Sequence, residues 1–92
     1  MGYRFEYSEG KNIILIEIRG VSFEDVIKAV GEGKQIADLK HKNKKYPNQR
    51  LLVVKIKDYI YVSPYVIDKK RRVNFLKTVY ASRKLTKKYS KK

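Results

Sequence analysis

The chain has no cysteine, one histidine and two prolines among its 92 residues, and each scarcity removes a class of protein. Without cysteine there are no disulfides and no thiolate metal sites. One imidazole, His41, makes a zinc site only if several carboxylates converge on it, and acids are rare around it. No apolar stretch approaches the roughly 20 residues that span a bilayer, and Met1-Gly2-Tyr3-Arg4 lacks the apolar core of a signal peptide. A cytoplasmic protein is the expectation. A Gly-rich phosphate loop, a paired-carboxylate dyad, a nucleophile elbow and a metal motif are also missing. The expectation is therefore no cofactor and no metal.

Positive charge is plentiful, and it is unevenly placed. Residues 1–33 carry six acids and four bases, a net of −2, whereas residues 34–92 carry nineteen Lys and Arg against Asp38, Asp58 and Asp68, a net of +16. A field of that strength on part of a small domain attracts a polyanion, for which RNA or DNA is the default. The bland alternative is a lysine-rich solubilising surface, although such surfaces usually mix both signs.

Length allows one domain with one modest core, covering residues 1–92 with a frayed tail at 90–92. Apolar residues fall into runs such as Ile13-Ile14-Leu15-Ile16 and Leu51-Leu52-Val53-Val54, which are core material. Residues 3–7 alternate as a half-buried strand. Residues 8–19 read two ways. Four isoleucines favour a strand returning from a turn at Ser8-Glu9-Gly10, whereas Ser8 as cap and Gly20 as stop favour a helix. Ser22 caps a helix whose Phe23, Val26, Ile27 and Val30 recur at helical spacing.

From residue 35 the pattern is β: strands over 35–40, 50–57, 60–67 and 73–80, with Pro64 predicting an edge or a bulge. Tyr59, Tyr61 and Tyr65 form a stripe suited to packing against a helix or partner. Phe75, Lys77 and Val79 are expected on one face of the last strand. Ser82 caps a basic terminal helix. The fold class is α+β, a small antiparallel sheet with helices on one face.

The residues left for chemistry are Lys, Arg, Tyr and His41. They suit RNA, which supplies its own 2′-hydroxyl nucleophile and needs only orientation, charge stabilisation and proton transfer. Lys77, on an otherwise apolar strand face, is placed for such work. Arg83 stands in the first turn of a helix, where a cation opposes the helix dipole. His41, among the cations Lys40, Lys42, Lys44 and Lys45, is held neutral as a base would be. Tyr80 stacks on a base or packs on the terminal helix. Lys40, Lys44, Lys45, Arg71, Arg72, Lys84 and Lys87 are candidate RNA contacts, with the run at 69–72 a hairpin tip that steers RNA electrostatically. Composition leaves both an RNA-binding surface and a metal-free ribonuclease open, and also an interaction protein with an acidic partner.

Two motifs carry a family resemblance. Gly20-Val21-Ser22-Phe23-Glu24-Asp25 opens a helix, and Ala81-Ser82-Arg83-Lys84-Leu85-Thr86-Lys87-Lys88-Tyr89 closes the chain, with Gln49-Arg50 leading into a strand between them. In order and spacing these resemble the BrnT-type toxins of the RelE/ParE superfamily. The resemblance implies a RelE-like fold with a helix over residues 8–19. It also implies a metal-independent endoribonuclease that arrests translation, silenced by a cognate DNA-binding antitoxin, often of ribbon-helix-helix type. It adds Arg50 to Lys77 and Arg83 as phosphate-stabilising residues sharing one groove. Ile18-Arg19 and Lys77-Thr78 depart from the Lys-His and the late arginine common in that family.

Overall fold

The computed structural model describes residues 3–40, 45 and 48–90. Its elements run β1 (Arg4–Glu6), α1 (Glu9–Arg19), α2 (Phe23–Gly31), β2 (Gln35–Lys40), β3 (Gln49–Ile56), β4 (Tyr59–Asp68), β5 (Val73–Leu76), β6 (Tyr80–Ala81) and α3 (Arg83–Ser90). The fold is α+β, as the residue pattern predicts.

Residues 9–19 are helical, which excludes the strand reading. Local chemistry outweighs the β-propensity of the isoleucines. The Ser8 hydroxyl accepts the Lys11 N–H at 3.2 Å, and Gly20, at φ +67, closes the helix by donating its N–H to the Ile16 carbonyl. The inward face is narrow: only Asn12 and Leu15 are buried. Asn12 acts as a bracket, its side-chain oxygen accepting the Phe23 N–H at 2.7 Å. That bond satisfies an orphan donor at the start of α2. The start of α2 is itself a capping box in which Ser22 and Asp25 exchange bonds at 3.1 and 3.0 Å.

The sheet has the order β1-β5-β4-β3-β2, with β6 also paired to β4. β1 runs parallel to β5, setting Phe5 against Asn74; the remaining pairs are antiparallel. Side-chain alternation divides the sheet into two faces. Leu52, Val54 and Tyr65 join Leu15, Phe23 and Val26 beneath α1 and α2. Val53, Ile60 and Val62 form a second cluster on the opposite face, where Leu85 of α3 packs. The expectation of helices on one face is therefore corrected. α1 and α2 take one side, α3 the other.

The strand expected over 73–80 is broken at residues 77–79, and Pro64 explains the break. Pro64 is not on an edge strand, but the bulge expected of it is there: residues 77–79 face only Ser63 and Pro64, one extra residue on the neighbouring strand. Pro64 itself lies in the middle of β4, which pairs with β3 along its length. On the other side β5 pairs with residues 65–68 and β6 with 61–62, leaving Ser63 and Pro64 between them. The Pro64 carbonyl accepts the Lys77 N–H at 2.8 Å. In an antiparallel strand a residue's N and O point the same way, so the missing proline donor also faces the break. Side chains close it: the Ser63 hydroxyl donates to the Thr78 carbonyl at 2.8 Å, and Arg19 Nη1 donates to the Val79 carbonyl at 2.6 Å.

Replacing Asn12 by Ala is expected to cost about 1–3 kcal/mol, because the buried Phe23 N–H loses its acceptor. Urea denaturation measures this. A change below a few tenths of a kcal/mol contradicts the bracket.

Candidate nucleic-acid interface

Arg50, expected beside Lys77 and Arg83, is engaged elsewhere. It lies opposite Tyr65 in the β3–β4 register and opposite Lys40 in the β2–β3 register, on the face that carries α1 and α2. Its Nε donates to Asp38 Oδ1 and its Nη2 to the Asp38 carbonyl, both at 2.8 Å. The Tyr65 hydroxyl donates to the other Asp38 oxygen at 2.7 Å. Hydrogen bonding to the Asp38 carboxylate raises the Arg50 pKa further. Burial, followed by the bond to Asp38, pushes Tyr65 up to about 12. The three side chains join β2, β3 and β4 at one end of the sheet, and none of Arg50's charge is left uncompensated.

The opposite face is different in character. Phe75 pairs with Val66 and Tyr80 with Val62, two positions on the same side of β4. Their backbones lie roughly 13 Å apart at the usual rise per strand residue. Lys77, in the break between them, is exposed, with its Nζ 5.5 Å from the Phe75 ring centroid. Val79 turns the other way into the core under α1. Phe75, Lys77 and Val79 thus do not share a face, because the break interrupts the alternation.

α3 starts three residues after Tyr80. The Ser82 hydroxyl caps it by accepting the Leu85 N–H at 3.1 Å, as its sequence position suggests. The Thr86 hydroxyl donates to the Ser82 carbonyl at 2.7 Å and accepts the Ile60 N–H at 2.9 Å, fastening the helix to β4. With Leu85 and Thr86 turned to the sheet, Arg83, Lys84, Lys87 and Lys88 are exposed. The first turn of α3 contains no acid. Among the described residues none of Lys77, Arg83, Lys84 and Lys87 makes an ion pair. A positive helix start crowded with cations is unfavourable by a few tenths of a kcal/mol or more, and an anion placed there would offset it.

The other candidates distribute as follows. Tyr80 is 38% exposed at the start of β6. Arg71 is tied to Glu6 at 2.9 Å, and that contact holds the Glu6 carboxyl below its usual range. Arg72, at φ +56, is exposed in the β4–β5 turn, and Lys40 is exposed at the end of β2. Lys45 is exposed. His41 and Lys44 lie outside the described residues. Of the tyrosine stripe, Tyr65 is buried in the core beneath α1 and α2 and Tyr61 packs against that cluster, while Tyr59 meets Tyr61 edge to face.

Two contributors escape a reading of the sequence. Asp38 and Tyr65 have no motif, since only the strand register brings them to Arg50. Phe75 and Lys77 are neighbours as strand alternation expects, and only Val79 leaves their face. The one available signal was Pro64, whose effect falls on the neighbouring strand and not on its own.

No family model matches the chain, and neither a curated protein nor a solved structure shows significant similarity to it. No helix among the described residues is long and apolar enough to cross a membrane. No three His, Cys, Asp or Glu among them converge as metal ligands.

Because the fold raises the Tyr65 pKa, it holds the phenol proton more tightly than the unfolded chain does. The stability gained is complete below about pH 10 and is lost as pH rises through about 12. Denaturation midpoints followed across that window should fall less steeply for Tyr65→Phe than for the parent chain. Identical slopes would remove the Tyr65–Asp38 bond from the account.

Proposed function

We propose that this chain is the toxin half of a toxin–antitoxin pair and acts on RNA through the face that carries Lys77, Tyr80 and α3. The observation that carries the reading is a group of cations there without an ion-pair partner among the described residues, Lys77, Arg83, Lys84 and Lys87, beside an exposed Tyr80. The sequence resemblance to the BrnT-type toxins gives that surface its chemistry. Arg50 has no part in it, being neutralised by Asp38 on the other face.

In this mechanism the 2′-oxygen of a ribose attacks the adjacent phosphorus and the bond to the 5′-oxygen breaks, leaving a 2′,3′-cyclic phosphate. The 2′-hydroxyl gives up a proton and the departing 5′-oxygen gains one. Arg83 and Lys77 stabilise the phosphorane, with Arg83 offering two parallel donors and Lys77 a point charge. Tyr80 holds a base or relays a proton. Lys84 and Lys87 draw in the backbone, and this part of the binding weakens steeply with salt. An antitoxin with an acidic segment silences the protein by covering the same face.

One observation favours a second reading, a nucleic-acid-binding module without cleavage. Among the described residues this face holds no histidine, and with Arg50 withdrawn it has one arginine fewer than the resemblance implies. Incubating the purified protein with single-stranded RNA separates the two, since only the nuclease yields fragments ending in 2′,3′-cyclic phosphate.

The double variant Lys77→Ala/Arg83→Ala is expected to lower the cleavage rate by at least about 100-fold and to abolish growth arrest, with its thermal unfolding unchanged. Full cleavage by the folded double variant would refute the assignment.

A further inference from the structure

Between α2 and the end of β3 the chain leaves a cavity of about 190 Å³. Asp25, Lys28 and Glu32 line it from one stripe of α2, and Lys34, Lys55 and Lys57 line it from the start of β2 and the end of β3. All six are exposed, so the cavity is open to a ligand. Their charges sum to +2. Lys34 pairs with Glu32 at 3.3 Å, and Asp25 accepts the Ser22 N–H at 3.0 Å. Lys28, Lys55 and Lys57 make no ion pair among the described residues, although the Asp25 carboxylate lines the same cavity.

The turn beside the cavity has a second peculiarity. Lys57 and Asp58 form the two-residue link between β3 and β4, and Lys57 has φ +59. Glycine or asparagine is the usual occupant of such a position, and a lysine there strains its backbone. No side-chain hydrogen bond or ion pair of Lys57 among the described residues accounts for the choice. Its backbone supplies a donor as well. The Lys55 N–H reaches the Lys34 carbonyl at 3.0 Å, and alternate N–H groups of a strand point the same way. The Lys57 N–H is therefore turned past the start of β2, where no backbone acceptor among the described residues meets it.

We infer that this cavity binds the phosphate monoester of a sugar. A monoester carries close to two negative charges at neutral pH, which matches the net charge of the lining. The ammonium groups of Lys28 and Lys57, with the Lys57 N–H, hold the phosphate. Two carboxylates among the lysines disfavour a bare anion, whereas a ligand with hydroxyl groups beside its phosphate gives Asp25 and Glu32 donors to accept. The volume is below the roughly 300 Å³ at which pockets for drug-sized ligands begin, so it suits one sugar phosphate and excludes a dinucleotide. A free sugar phosphate and the 5′-phosphorylated end of an RNA share this chemistry. The site goes beyond the RNA reading, because it lies on the α2 side of the sheet and uses none of Lys77, Tyr80 and α3.

Amide shifts of the full chain, followed by NMR as ribose 5-phosphate is added, test the site. Saturable shifts are expected at Lys28, Lys34, Lys55 and Lys57, with none for ribose and several-fold weaker binding of inorganic phosphate. Lys28→Gln and Lys57→Gly should each weaken binding about tenfold. Glycine suits a positive φ, so Lys57→Gly should leave the urea midpoint unchanged or raised. Lys77→Ala/Arg83→Ala should bind ribose 5-phosphate as the parent does. A short RNA bearing a 5′-phosphate, compared with the same RNA ending in a 5′-hydroxyl, tells the two sources apart. No saturable shift by about 10 mM ligand, an equal response to ribose, or inorganic phosphate bound as tightly would overturn the inference. So would Lys28→Gln and Lys57→Gly that bind as the parent does, or a lowered midpoint with unaltered binding in Lys57→Gly.

Discussion

A proline in the middle of a central strand sets much of this architecture. Pro64 cannot donate to the strand beside it, so that strand cannot continue past Leu76 in regular pairing. Lys77 still donates to the Pro64 carbonyl, the next two residues leave the ladder, and pairing with β4 resumes at Tyr80. Detachment turns Val79 inward and leaves Lys77 outside beside Phe75. It also delivers the chain to Ser82, where α3 starts on the face opposite the first two helices. The break is held by side chains, Ser63 from the sheet and Arg19 from the end of α1, and its backbone groups are thereby satisfied without a regular ladder.

The uneven charge of the sequence becomes an uneven distribution in space. The mildly acidic first third folds into β1, α1 and α2, and the two helices cover one face of the sheet. The basic remainder supplies most of the sheet and α3, whose Arg83, Lys84, Lys87 and Lys88 are exposed on the other side. Arg50 and Arg71 are the instructive exceptions. Each finds a carboxylate, Asp38 for the first and Glu6 for the second, and each is thereby converted from a possible ligand for phosphate into a strap between strands. Counting cations by sequence position therefore overstates what an anion meets. The relevant set is the one left after internal pairing.

Local signals were legible in the residues wherever the deciding contacts are also local. Ser22 with Asp25, Ser82 before α3, and the alternation through Leu52, Val54 and Tyr61 all led to the elements found. α1 was ambiguous because isoleucine propensity opposed two good caps, and the caps prevailed together with the long-range bond from Asn12 to Phe23. The parallel pairing of β1 with β5 spans most of the chain and leaves no mark in a pattern of neighbours. Arg50 shows the same limit at the candidate site. Its position before an apolar strand is visible in sequence, but its carboxylate lies twelve residues upstream and reaches it only through the register of β2 on β3.

The central claim is that one face of the sheet, from Lys77 through Tyr80 to the exposed side of α3, receives a ribose-phosphate backbone. Backbone amide shifts of the full chain, recorded by NMR while a short single-stranded RNA is titrated in, test it most directly. The account predicts that the largest changes fall within residues 75–88 and fade as salt is raised, with the amides around Asp38, Arg50 and α1 little affected. Largest changes at Arg50 or along α1, or no binding at low salt, would contradict it.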